Sequence, residues 1–179
     1  MPQKLNVYLN RIKDSGIMTI PQQLNDFLAT AQDLLLGYNG IIFSKLDALN
    51  DAQIGYSVDE NGKSLTTGNI GDWQQQWIVI ADDSLGDPIF IDTSSPKLKV
   101  MGAAHGEDIW EPFIIADSLD NFKQIISQIN AVAKGRTEPD ELEKNPISDE
   151  EQAAVLKLIE KQNPKTDVWY WENFFENDF

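Results

Sequence analysis

A chain of 179 residues with 41% apolar side chains is long enough to bury a core and too apolar to stay disordered. It has no cysteine, which excludes a disulfide framework, a thiolate metal site and a cysteine nucleophile. A net charge of −15 disfavours direct binding of DNA or RNA, and no apolar run reaches membrane-spanning length, so a soluble cytoplasmic protein is the expectation.

Residues 3–13 place Leu5, Tyr8, Leu9 and Ile12 at helical spacing and predict a short amphipathic helix. Pro21 suits a first helical turn, and Leu24, Phe27, Leu28, Ala31, Leu34 and Leu35 make one stripe, predicting a longer helix that ends at Gly37 or Asn39-Gly40. Ile41, Ile42 and Phe43 read as a first strand, and Ser44 as the cap of a single turn through Leu46 and Leu49. Residues 53–65 predict an outer hairpin, because Ile54, Tyr56 and Val58 alternate with small residues and Asn61-Gly62 tolerates positive φ.

Residues 77–92 give the strongest strand–turn–strand signal. Trp77, Ile78, Val79, Ile80 and Ala81 show no polar alternation, as in a strand buried on both faces. Ile89 and Ile91 fall on one face of the second strand, with Phe90 and Asp92 on the other. Pro88 donates no backbone hydrogen bond and belongs at that strand's first position. The pair is expected at the sheet centre. Residues 97–101 alternate Lys97, Leu98, Lys99, Val100 and Met101, predicting a half-buried strand with both lysines on one face.

The loop 102–108 holds the single histidine, His105, and Trp110 leads an extended segment to Ile115. Asp117 or Ser118 then caps the clearest helix, with Leu119, Phe122, Ile126, Ile129 and Ala133 inward and Gly135 as its stop. Residues 135–147, charged and containing Pro139 and Pro146, read as a surface linker. Ser148 and Glu151 form a capping box, opening a helix with Ala154, Val155, Leu158 and Ile159 inward. Residues 167–179 combine six aromatics with acids. As a helix they put Trp171, Phe174 and Phe175 on one face, docked on the sheet or on the preceding helix.

The charge is uneven. Residues 1–50 balance four acids with four bases, 51–115 carry eleven acids against three bases, and 116–179 carry fourteen against seven. An acidic surface serves solubility or complements a basic partner, and composition does not separate the two.

A helix carrying Leu24-Asn25-Asp26-Phe27-Leu28 comes first, then Tyr38-Asn39-Gly40 and the strand Trp77-Ile78-Val79-Ile80-Ala81. Gly86-Asp87-Pro88-Ile89-Phe90-Ile91-Asp92 follows, and Ala116-Asp117-Ser118-Leu119-Asp120-Asn121-Phe122 opens a further helix. Over about residues 20–134 this order resembles the SUKH superfamily, in the branch related to the yeast cell-wall-synthesis regulators. The resemblance implies one α+β domain over residues 1–134, with a mostly antiparallel twisted sheet packed against several helices. Residues 148–179 would then be a helical extension packed on the same domain. It also implies a non-enzymatic bacterial immunity protein that neutralises a partner toxin. The alternative is a regulatory adaptor without a toxin partner, as in the fungal relatives.

No catalytic arrangement stands out. His105 has no evident nucleophile or orienting partner in sequence, and Asp108 and Glu111 are not placed across a cleft by any pattern. A calcium loop starting at Asp82 would put Gly86 at its fifth position and Thr93 where the closing glutamate belongs, so it fails. No cofactor or metal is expected. The turn acids Asp82, Asp83 and Asp87 read as Asx-type turn residues or as a partner-facing edge. The candidate contact residues for a basic protein partner are Asp82, Asp83, Asp87, Glu107, Asp108, Trp110, Trp169 and Trp171. Oligomeric state stays open.

Overall fold

The computed structural model describes residues 19–106 and 108–176. The expected helix over 3–13 lies outside them. Six strands form one antiparallel meander, paired in chain order. They are β1 (Leu34–Leu36), β2 (Asn39–Phe43), β3 (Trp77–Asp83), β4 (Pro88–Asp92), β5 (Lys99–Gly102) and β6 (Phe113–Ala116). The helices are α1 (Gln22–Leu28), α2 (Leu119–Ala133), α3 (Pro139–Lys144), α4 (Asp149–Gln162) and α5 (Trp169–Phe175). The expected α+β class with an antiparallel sheet holds, and β3–β4 is the central pair.

β3 pairs Val79 with Phe90 and Ala81 with Ile89, so Ile80 is an extra residue and the strand is bulged there. Ile78, Ile80 and Ala81 join Ile89 and Ile91 in a core shared with the helices, whereas Val79 and Phe90 face the other way. Both sheet faces are therefore covered. On one face Leu24, Phe122, Ile125, Ile129, Ile159 and Trp171 pack against the strands. On the other, the irregular stretch 44–76 lays Trp73 and Tyr56 over Val79, Phe90 and Met101, joined by Trp77 and Trp110. Trp73 is 4.7 Å from Phe90 and 5.1 Å from Trp110, ring centre to ring centre. Gln53 fixes this covering. Its side chain donates to the Val79 and Leu49 carbonyls and accepts from the Val79 N–H, so it completes the β3 ladder where β2 has ended.

Several sequence expectations change. The first helix ends at Leu28, and Leu34, Leu35 and Leu36 form β1 instead of extending the helical stripe. Pairing of Leu34 with Ile41 buries Leu34 and Leu36, which a helical turn here would not achieve. Residues 41–43 are the end of β2, which starts at Asn39. Residues 53–65 make two isolated bridges and not a full hairpin, although Gly62 takes the expected positive φ of 77°. The turn before β5 runs through Leu98, whose φ is 54°, so the strand begins only at Lys99. Val100 and Met101 are both buried, on opposite faces, and the strand is not half-exposed.

In the C-terminal third, Ser118 is the N-cap of α2, accepting from the Asn121 N–H. The stretch 135–147 is more than a connection. It holds α3, buries Leu142, and buries the Arg136 guanidinium between α3 and α4. Arg136 donates to the Val132, Asn145 and Pro146 carbonyls and to both oxygens of Glu151. The capping box of Ser148 and Glu151 forms as expected. Val155 and Ile159 point inward, but Ala154 and Leu158 are exposed, because only one narrow stripe of α4 meets the core.

Candidate functional site

The central hairpin turn is built by Asp83. Gly86 N–H donates to the Asp83 carbonyl, and Gly86 takes φ 81°, a conformation that glycine adopts without strain. The Asp83 carboxylate accepts the N–H groups of Leu85 (2.9 Å) and Asp87 (3.0 Å) through Oδ1. Ser84 ties the turn sideways to β2, where its hydroxyl bonds the N–H and the carbonyl of Gly40. A Cβ on Gly40 would stand 3.0 Å from the Leu34 carbonyl oxygen, so glycine allows this close approach. Asp87 reaches across to the next loop and accepts the His105 N–H (2.8 Å) and lies 2.6 Å from its ring Nδ1.

The bulge at Ile80 decides where the acids go. Asp82 falls on the aromatic-loop face, where its charge, with that of Asp87, adds to burial in pushing the Tyr56 phenol up. Asp83 falls on the helical face, lining a cleft with Tyr170 and Phe174. Burial pushes both carboxyls up. For Asp83 this outweighs the lowering by its two N–H donors, and the charges of Asp87 and Asp82 add to the rise.

The cleft lies between this turn and α5, with a volume of about 140 Å³. Asp83, Ser84, Leu85 and Asp87 form one side, and Trp169, Tyr170, Asn173 and Phe174 the other, with Phe113 and Ala104 between. Helix α5 is held against the sheet by three residues. Asp167 exchanges two backbone-directed bonds with Ile114, its N–H to the Ile114 carbonyl and its carboxylate to the Ile114 N–H, both 2.8 Å. Trp171 Nε1 donates to the Ile115 carbonyl at 2.9 Å. Asn39 donates to the carbonyls of Phe174 and Glu176. The bonds to Ile114 and Ile115 also cover the free edge of β6, which would otherwise offer unpaired backbone groups to another strand.

The candidate residues are thus sorted by the fold. Asp83, Asp87 and Trp169 come together around one cleft. Asp82 and Asp108 are exposed, and Trp110 is half-buried in the aromatic layer over the other face, its N–H bonded to the Gly71 carbonyl at 2.7 Å. Trp171 is fully buried and has no surface to offer a partner; its ring is a structural anchor and not a contact residue. Glu107 lies outside the described residues. The grouping of turn and tail was not legible in the sequence, nor was the part played by Tyr170, Phe113 and Asn39. A tyrosine inside a run of aromatics flanked by acids was the only hint. Among the described residues, no three His, Asp or Glu side chains converge as a metal site would require, and no helix is long and apolar enough to cross a membrane. No family model, curated protein or solved structure matches the chain.

Proposed function

We propose that this chain is a binding protein that neutralises a basic partner by direct contact, an immunity protein of the SUKH kind acting in the cytoplasm on a toxin domain. The observation that carries the reading is the acidic turn. Asp83 is kept at the rim of the sheet although burial disfavours its charge, with the exposed Asp82 next to it. Groups held against their electrostatic preference cluster at functional sites. Beside them stand two exposed apolar side chains, Leu85 and Trp169. Acidic groups around an aromatic and aliphatic centre suit a basic protein surface, because the charges steer encounter and the rings anchor it. If the toxin is a nuclease, its phosphate-binding cleft is basic, and an acidic protein seated there blocks the substrate. The antiparallel sheet with helices packed on it is the architecture that the SUKH resemblance implies.

The test is capture of the partner from the native host and co-expression with it, followed by affinity measurement on the purified pair. The unaltered chain is expected to restore growth. Asp82→Lys combined with Asp108→Lys is expected to weaken binding by about tenfold or more, mainly through slower association. Both side chains are exposed, so the fold is spared. Unchanged affinity would remove the side of the turn that carries Asp82 and Asp108 as the contact and confine it to the side of Asp83 and Trp169. Failure to bind and to restore growth would sink the immunity reading and favour the adaptor.

A further inference from the structure

The cleft between the central turn and α5 contains one polar group that the fold leaves unsatisfied. Tyr170 is 7% exposed, and its hydroxyl is buried with no hydrogen-bond partner among the described residues. A buried hydroxyl without a partner is unfavourable, and native proteins rarely leave one so. Tyr170 lines the cleft opposite Asp83 and Asp87, and the charges of those two residues add to burial in pushing its phenol well above the ordinary value.

The two carboxylates are also only half used. Asp83 receives both of its hydrogen bonds on Oδ1, and so does Asp87. Among the described residues, neither Oδ2 receives a donor. The remaining walls are aromatic. Phe113 and Trp169 stand with ring centres 4.8 Å apart, and Trp169 is 46% exposed. The volume of about 140 Å³ is close to the ~150 Å³ of a protein cavity that admits benzene, so the cleft takes one side-chain-sized group.

These features select a ligand chemistry. An anion would be repelled by the acids. A purely apolar group would leave the tyrosine hydroxyl unpaired. A planar cation with several N–H donors satisfies the carboxylates and the hydroxyl together, and its flat face lies against aromatic rings. We propose that the cleft receives one arginine side chain of the protein partner, with its guanidinium between Asp83, Asp87 and the Tyr170 hydroxyl and its stem along Phe113 and Trp169. The assignment rests on the partner-binding function proposed above and names the residue that anchors it.

N-acetyl-arginine amide and N-acetyl-citrulline amide share a stem but differ in charge. Each is titrated into the full chain while amide and indole N–H resonances are followed by NMR. The arginine compound is expected to shift the Trp169 indole and the amides of Ser84, Leu85 and Asn173. The citrulline compound is expected to bind about tenfold more weakly. Asp83→Asn should weaken the arginine compound severalfold. Should that variant fail to fold, Trp169→Ala gives the same readout at Ser84 and Leu85, since its half-exposed ring is not part of the core. Equal shifts from the two compounds, or shifts located elsewhere, overturn the proposal. So does arginine binding that survives Trp169→Ala unchanged. A toxin that binds Trp169→Ala and the unaltered chain equally overturns the arginine cleft while leaving the partner reading intact. Selective arginine binding with no toxin partner does the reverse.

Discussion

Two groups of carboxylates in this chain behave in opposite ways. In the C-terminal third, Glu141 accepts the Glu138 N–H and the Thr137 hydroxyl, and its carboxyl is held below the ordinary value. Glu151 accepts the Ser148 N–H and the Arg136 guanidinium, with the same result. These acids close helix N-termini, where negative charge is favoured. At the central turn, Asp82 and Asp83 are pushed up by burial instead. The first group stabilises the fold. The second is retained at a cost, and no contact within the described residues offsets it fully. The two groups thus differ in the sign of their shift, set by hydrogen bonds in one and by burial in the other.

The largest expected effect breaks the α5 wall of the cleft. Trp171→Ala removes a fully buried ring and leaves the Ile115 carbonyl without its donor, so it should destabilise by about 3–5 kcal/mol in denaturant unfolding. The α5 side of the cleft should loosen with it.

Next comes the settled group. Arg136→Met keeps much of the stem's volume but strips donors from three carbonyls, at an expected loss of about 2–3 kcal/mol. The ion pair itself adds little, because Glu151 is 40% exposed. The Glu151 carboxyl, followed by NMR titration, should move back toward its ordinary value. A carboxyl that stays low would assign its shift to the Ser148 cap alone.

The smallest effect separates the two groups by pH. A carboxyl whose folded value is raised keeps its proton longer in the native state, so its contribution falls as pH rises from the ordinary value through the raised one. Asp83→Asn should therefore raise stability at neutral pH and change little below the carboxylate range. Glu151→Gln removes an acid of the lowered kind. Glu151's contribution is present above its ordinary value and is lost as pH falls through the lowered one, so this variant's deficit should shrink in acid. Unfolding curves at neutral and acidic pH distinguish them. A neutral-pH loss in Asp83→Asn would mean that the N–H bonds from Leu85 and Asp87 outweigh burial.

Legibility followed the range of the forces involved. The central hairpin, α2 and the Ser148 capping box rest on local rules: apolar periodicity, a proline that cannot donate, and a hydroxyl three residues from a glutamate. The leucines at 34–36 misled because three residues satisfy a helical stripe and a strand equally well. Pairing with Ile41 and Asn39 decided between them. Trp171 and Trp169 are two positions apart in one helix, yet one is core and the other surface, which only the docking of α5 on β6 determines. The cleft draws on Asn39, Asp83, Phe113 and Tyr170, residues whose nearness is a property of the meander and not of any motif.

The bulged Ile80 acts as a parity switch. Downstream of it, every side chain of β3 changes face relative to an uninterrupted strand, so Asp82 stands on the face covered by Tyr56 and Asp83 on the face covered by Tyr170. In an uninterrupted strand their destinations would be exchanged, with Asp82 sent toward the helices. One surplus residue thus lets a strand with a wholly apolar centre end in two neighbouring charges that serve separate surfaces. Insertion or loss of a single residue at this point exchanges the faces on which the two acids stand while keeping the same central pair.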